Sequence, residues 1–150
     1  MSIFSKFKNI FKSTENKAVF CGLDNAGKST IISFLQKGKF VDHTPTMGKK
    51  NTDLKIGGLE LNLYDMGGQQ AFREFWLGAL KDAKLLVYVI DKADKDRYEE
   101  SSKEFKKLLP LIKKSDIKTL ILANKHDLVD EDNNNLADII YKFELQNLKN

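Results

Sequence analysis

Residues Gly22 to Ser29 read Gly-Leu-Asp-Asn-Ala-Gly-Lys-Ser, two glycines with four residues between them, followed at once by a lysine and a hydroxyl. This spacing suits phosphate. The glycines let the backbone curl, so the successive amides of Asp24, Asn25, Ala26, Gly27, Lys28, Ser29 and Thr30 can turn toward phosphate oxygens at the positive end of a helix. Lys28 would neutralise the terminal phosphates, and Ser29 would offer its hydroxyl to Mg2+, a hard cation that prefers oxygen ligands. A second group, Asn124-Lys-His-Asp127, selects the base. Asp127 can accept two hydrogen bonds from the ring NH and exocyclic amine of guanine, a donor pair that adenine lacks. Asn124 is suited to bracing loops, and the Lys125 stem to lying along base and ribose. An ATP-using kinase or ATPase is disfavoured by Asp127 for the same reason.

Two further segments complete the set. Asp65-Met-Gly-Gly-Gln69 offers a carboxylate that can hold magnesium through water, a glycine (Gly68) whose amide can approach a terminal phosphate closely, and Gln69. The Gln69 amide both accepts and donates, so it can orient an attacking water without any shifted pKa; it is the catalytic candidate. Thr46, in the loop Thr44-Pro-Thr46, is a plausible second magnesium ligand, attached only while a terminal phosphate anchors that loop.

These groups need a scaffold that brings distant loops together. Lys17 to Gly22 reads as a buried strand and Gly27 to Gln36 as a helix; residues 51–56 and 59–64 flank Gly57 and Gly58 as a hairpin. Gln70 to Leu80 reads as a helix, Leu85 to Ile90 as a strand covered on both faces, and Lys95 to Lys114 as a helix. Thr119 to Ala123 is another apolar strand, Asp130 to Asn135 an acidic, Asn-rich loop, and Leu136 to Phe143 a last helix. The order implies an α/β fold, a three-layer sandwich around a mostly parallel sheet with one antiparallel edge strand. Ligands of such sheets bind at the carboxyl ends of the strands, where all four motifs fall.

Composition bounds the rest. The 150 residues, 41% hydrophobic and 31% charged, make one globular domain, and no apolar run reaches the roughly 18 residues of a membrane span. A single cysteine points to a reducing compartment, with cytoplasmic location the expectation. Of the net charge of +4, three units lie in residues 1–17, so a basic face for nucleic acid is not expected. In that leading segment Ile3, Phe4, Phe7, Ile10 and Phe11 share one helical face while Lys6, Lys8 and Lys12 fall largely elsewhere. The pattern suits a membrane interface with anionic lipid, or a helix packed on its own domain. Residues 1–16 are accordingly read as an amphipathic helix and linker, and 17–150 as the nucleotide-binding domain.

Taken together, the four motifs resemble the small GTPases of the ADP-ribosylation factor (Arf) and Arf-like family, over residues 1–150. The Leu-Asp within the phosphate loop, the Pro-Thr-hydrophobic-Gly loop and the doubled glycine before Gln69 carry that likeness. It implies a P-loop small G-protein fold, slow GTP hydrolysis, GTP and GDP as ligands with Mg2+, and an exchange factor, an activating protein and effectors as partners. It also implies a leading helix stowed with GDP and released to membranes with GTP as the hairpin shifts register, hence peripheral membrane association in the GTP state. Three departures stand out. Ser2 replaces the glycine that N-myristoylation requires. Lys49 and Ala79 occupy places where an aromatic cluster would face effectors, leaving Tyr64. The chain also stops where the family continues for roughly 30 residues, by comparison with an ordinary domain size. Without that last strand, base-contacting loop and helix, an exposed sheet edge, weaker nucleotide retention or oligomerisation is expected. Arg73 and Arg97 look poorly placed to serve as a built-in arginine finger. A module that binds guanine nucleotide without hydrolysing it is the competing function.

Overall fold

The computed structural model describes residues 16–56, 58–130 and 136–148. The amphipathic leading segment, Gly57 of the hairpin turn and most of the Asn-rich loop lie outside the described residues. Five strands form one sheet in the order β2-β3-β1-β4-β5, where β1 is Lys17–Cys21, β2 Lys49–Ile56, β3 Leu59–Met66, β4 Leu85–Asp91 and β5 Lys118–Asn124. The β2–β3 pair is antiparallel, running from Lys49 opposite Met66 to Ile56 opposite Leu59, and every other pairing is parallel. The expected mostly parallel sheet with one antiparallel edge strand is what forms. The hairpin strands extend two residues beyond the reading at their outer ends, carrying Asp65 inside the sheet.

Alternation along the central strands builds two cores. Ala18, Phe20, Leu85, Val87 and Val89 face α1 (Lys28–Lys37) and the hairpin. Val19, Cys21, Leu86, Tyr88 and Ile90 face the opposite layer, formed by α2 (Phe75–Ala79), α3 (Tyr98–Lys114) and α4 (Ala137–Lys142). β4 is covered on both faces, and its Tyr88 ring meets Trp76, Phe105 and Phe143 at centroid distances of 6.1, 5.0 and 6.2 Å. Burial at this position pushes the Cys21 thiol far up from its ordinary pKa. It is a core side chain.

Two expectations change in detail. A continuous helix over 70–80 does not form; a 3-10 turn at Gln70–Phe72 is followed by the short α2. Arg73 and Trp76 turn inward and hydrogen bond to main-chain carbonyls of Gly68 and Gly67, so tertiary contacts override the helical periodicity. The helix expected from Lys95 starts instead with a 3-10 turn at Lys95–Arg97, and α3 then runs through Pro110 to Lys114. Buried Leu108 and Ile112 on either side of the proline hold the helix against the sheet.

Among the described residues, β5 forms the second edge of the sheet. Its apolar residues are only half-buried, unlike those of β4. A groove of about 730 Å³ along it is lined by residues that include Phe34, Phe40, Leu122, Leu136 and Ile140.

Candidate functional site

The phosphate loop connects β1 to α1, and its shape follows from two backbone demands. Gly27 caps the helix at φ +98°, and a Cβ there would lie 2.3 Å from the Asn124 amide nitrogen. That nitrogen donates to the Ala26 carbonyl at 2.8 Å, tying the loop to the end of β5. Asn124 thus braces one binding loop against another, as its residue type suggested. The first helical hydrogen bond runs from the Ile31 amide to the Gly27 carbonyl at 2.9 Å. The amides of Lys28, Ser29 and Thr30 therefore precede the helical ladder, at a helix start that suits an anion. Ala26 differs from this pattern, its amide donating back to the Leu23 carbonyl at 3.3 Å.

Lys28 is buried and its Nζ donates to the carbonyls of Gly22 and Leu23 at 2.9 and 2.8 Å. Desolvation, partly opposed by the nearby Asp65 carboxylate, lowers its pKa to about 8. The ammonium is pinned across the loop where phosphate charge would accumulate.

Three elements meet beside it. The Ser29 hydroxyl donates to Asp65 Oδ2 and lies 2.9 Å from the Thr46 hydroxyl, which itself reaches Asp65 Oδ2 at 3.0 Å. Asp65 is buried, and its other oxygen, Oδ1, has no hydrogen-bond partner. An orphaned carboxylate oxygen beside two hydroxyls fits a hard divalent cation. Among the described residues no group of three His, Cys, Asp or Glu side chains could hold a metal alone. A cation here must therefore draw remaining ligands from phosphate and water.

Gly67 and Gly68 bring Gln69 to the same place. Gly67 N–H donates to the Gly48 carbonyl at 2.7 Å, and a Cβ on Gly68 would lie 2.3 Å from the Asp24 nitrogen. The glycine main chain therefore rests directly on the phosphate loop. Gln69, Thr46, Lys28 and Gly68 share a cavity of about 170 Å³. The preceding loop is tethered to α1 by a Phe34–Phe40 stack at 4.7 Å and a 2.6 Å hydrogen bond between Ser33 Oγ and His43 Nε2.

The base-selecting loop follows β5. Lys125 sits in the left-handed region at φ +60° and pairs with Asp91 at 2.8 Å, which anchors its head at the end of β4. Asp127 is exposed in this loop.

Sequence reasoning missed the groups behind the site. Arg73 and Arg97 clasp the phosphate loop from outside: Arg97 Nη2 lies 2.8 Å from Asp24 Oδ1, and Arg73 Nη2 lies 2.7 Å from Glu100 Oε1. The Arg97 guanidinium holds the Asp24 carboxyl below its ordinary pKa, and does the same to Glu100. The spacing of Arg73 from Gln69 and of Glu100 from Arg97 was visible, but pairing them needed the tertiary fold.

A glycine-rich loop with a buried lysine closes the end of β1 and an Asn-Lys-His-Asp loop the end of β5, with a hydroxyl-and-carboxylate cluster beside the first: the arrangement is that of a P-loop nucleotide-binding protein. The family follows from comparison. The sequence model of the ADP-ribosylation factor family matches residues 1–150, and the chain belongs to that family, whose members are GTP-hydrolysing enzymes. It is 39% identical over 118 residues to ADP-ribosylation factor-like protein 3 of Chlamydomonas reinhardtii, covering 79% of this chain and 67% of that protein. It is 34% identical over 122 residues to ADP-ribosylation factor 3 of Arabidopsis thaliana, covering 81% of this chain and 67% of that one. The chain thus spans about two thirds of the length of these relatives. Among solved structures, the Arl6 small GTPase of Trypanosoma brucei with bound GppNp superposes at a TM-score of 0.75 with 26% identity, covering 89% of this chain and 79% of that one. A chain of the mammalian SRP receptor structure, at 22% identity and a TM-score of 0.74 over 86% of this chain and 71% of its own, shares the fold.

Proposed function

We propose that this chain is a guanine-nucleotide switch that hydrolyses GTP slowly, with Gln69 orienting the attacking water. The observation that carries the reading is the meeting of Ser29, Thr46 and Asp65 around one point, with Gln69 and Gly68 closed over the phosphate loop. Mg2+ would be held there by Ser29, Thr46 and, through water, Asp65, and when bound would neutralise charge on the terminal phosphates. Lys28 and the amides of Asp24, Asn25, Gly27, Ser29 and Thr30 would bind the same phosphates, the Ala26 amide being turned back to Leu23; Gly68 would offer its amide to the last of them, and Asn124, Lys125 and Asp127 would form the guanine pocket. Arg73 and Arg97 are both held in carboxylate pairs, so neither is available as a finger. Turnover is accordingly slow until an activating protein supplies a cation.

Gln69→Leu keeps the side chain's bulk but removes both hydrogen-bonding functions. Single-turnover GTP hydrolysis should slow by about tenfold or more, as loss of a water-orienting group demands, while GDP affinity stays close to that of the parent. An unchanged rate would favour the alternative, a guanine-nucleotide-binding module in which hydrolysis plays no part.

Residues 1–16 would recruit the GTP state to membranes through Ile3, Phe4, Phe7, Ile10 and Phe11 with help from the neighbouring lysines. Among the described residues no helix is long and apolar enough to cross a membrane. Attachment through one short apolar face should be weak and reversible. Flotation with anionic vesicles should recover more protein with a non-hydrolysable GTP analogue than with GDP; equal recovery would remove the switch from the membrane step. An exchange factor, an activating protein and effectors complete the proposed cycle.

A further inference from the structure

The segment that carries Gln69 is held by two side chains that never reach the nucleotide pocket. Trp76 Nε1 donates to the Gly67 carbonyl at 3.0 Å, and Arg73 Nε donates to the Gly68 carbonyl at 2.8 Å. Both side chains are buried, Trp76 at 1% and Arg73 at 8% exposure. They pin two consecutive peptide groups. Among the described residues all peptide bonds are trans, and in a trans peptide the N–H points opposite to the C=O. Fixing the Gly67 carbonyl toward Trp76 therefore aims the Gly68 N–H away from α2. Gly68 itself rests against Leu23 and Asp24, so the opposite side is that of the phosphate loop. Fixing the Gly68 carbonyl toward Arg73 sets the next plane, from which Gln69 departs with an extended ψ of 147°.

The Arg73 guanidinium is itself anchored. Its Nη2 lies 2.7 Å from Glu100 and 3.6 Å from Asp24, and its Nη1 lies 3.7 Å from Glu104 one turn further along α3. Arg97 binds Asp24 and Glu100 at 2.8 and 2.9 Å. The phosphate loop, through Asp24 and Arg97, and the Gln69 segment, through Arg73, are thereby fastened to one carboxylate, Glu100, at the start of α3. A side chain placed only to fill space would need neither donor.

We propose that Arg73 and Trp76 are positioning residues for the GTP state: by holding the Gly67 and Gly68 carbonyls they orient the Gly68 amide toward the terminal phosphate and Gln69 toward its water. This rests on the hydrolytic reading above.

Two conservative variants test it. Arg73→Lys keeps the charge near Glu100 but has no Nε–H placed to reach the Gly68 carbonyl, and Trp76→Phe keeps an aromatic ring but loses the donor. The measurements are affinities for GDP and for a non-hydrolysable GTP analogue with Mg2+, single-turnover hydrolysis, and the thermal unfolding midpoint. Each variant should lower the analogue-to-GDP affinity ratio by about tenfold, the scale of one lost hydrogen bond. GDP affinity and unfolding midpoint should stay near the parent's. Combining either with Gln69→Leu should slow hydrolysis by clearly less than the product of the two single losses, since part of the positioning acts through that residue and only the rest through the Gly68 amide. A ratio that stays constant, or one that holds because both affinities fall together, overturns the proposal, as does an additive loss in the double variant. Should one variant fail to fold, the other is judged by the same ratio. The two readings fail separately. If Gln69→Leu leaves hydrolysis unchanged, the catalytic reading falls; if it slows hydrolysis while both positioning variants leave ratio and rate intact, only the present inference falls.

Discussion

Asp127→Asn should cost this protein about 10²- to 10⁴-fold in GDP and GTP affinity. In the proposed pocket the carboxylate would accept from two guanine donors at once, each hydrogen bond to a charged group contributing about 1.5–3 kcal/mol, and the pair converts to that range of fold-change. The substitution changes more than strength. An asparagine offers one acceptor and one donor in the same place, so one guanine N–H loses its partner and meets another donor. A purine with a carbonyl in place of the exocyclic amine would instead match it. Xanthine nucleotides should therefore gain relative to guanine nucleotides, a reversal that misfolding cannot produce. Titration calorimetry with GDP and xanthosine diphosphate reads both effects. Unchanged GDP affinity would remove Asp127 from the base pocket, and parallel loss of both ligands would show only damage to the loop. The surrounding anchors make local damage small: Asn124 is bonded to Ala26 at 2.8 Å and Lys125 to Asp91 at 2.8 Å, and neither contact involves residue 127.

Much of this site was legible because its chemistry is carried by short, contiguous runs. The phosphate loop needs glycine, lysine and hydroxyl at fixed offsets, and the strand before it and helix after it announce themselves by periodicity. The apolar run Leu85 to Ile90 gave a strand buried on both faces, which β4 is. That Ser29, Thr46 and Asp65 would converge was readable residue by residue, although they come from three separate elements. What periodicity could not show was a side chain whose partner is a distant carbonyl. Residues 70–80 carry a helical pattern, yet Arg73 and Trp76 spend their donors on Gly68 and Gly67, and the helix breaks into a 3-10 turn and a short α2. From sequence, Arg73 and Arg97 read only as poorly placed for a finger. Their actual use, joining Asp24 to Glu100, depends on α3 lying beside the phosphate loop, a fact of packing rather than of local sequence.

Gly68 gives the second large effect. Adding a methyl group at Gly68 should slow single-turnover GTP hydrolysis by about 10²- to 10³-fold, the usual consequence of losing a main-chain donor aimed at developing charge. The reason is steric. A Cβ at this position would lie 2.3 Å from the Asp24 nitrogen, 2.4 Å from the Leu23 carbonyl carbon and 2.6 Å from the Gly22 oxygen, all main-chain atoms of the phosphate loop. None can swing aside as a side chain would. Relief requires the Asp65–Gln69 segment to lift from the loop, which withdraws the Gly68 amide and Gln69 together. The loop itself need not move, because Gly22 to Ser29 is secured from below by Lys28, from β5 by Asn124 and from α3 by Arg97. GDP, lacking the terminal phosphate proposed to meet Gly68, should bind Gly68→Ala nearly as well as the parent, whereas a non-hydrolysable GTP analogue should lose its advantage over GDP. Gly67→Ala would not serve as the same test, since its Cβ would press instead on the Thr46 and Gly48 carbonyls and on the Phe72 ring. Competition between GDP and the analogue, with hydrolysis measured on the same preparation, decides the matter. Parental hydrolysis in Gly68→Ala would mean that closure of this segment onto the phosphate loop plays no part in catalysis.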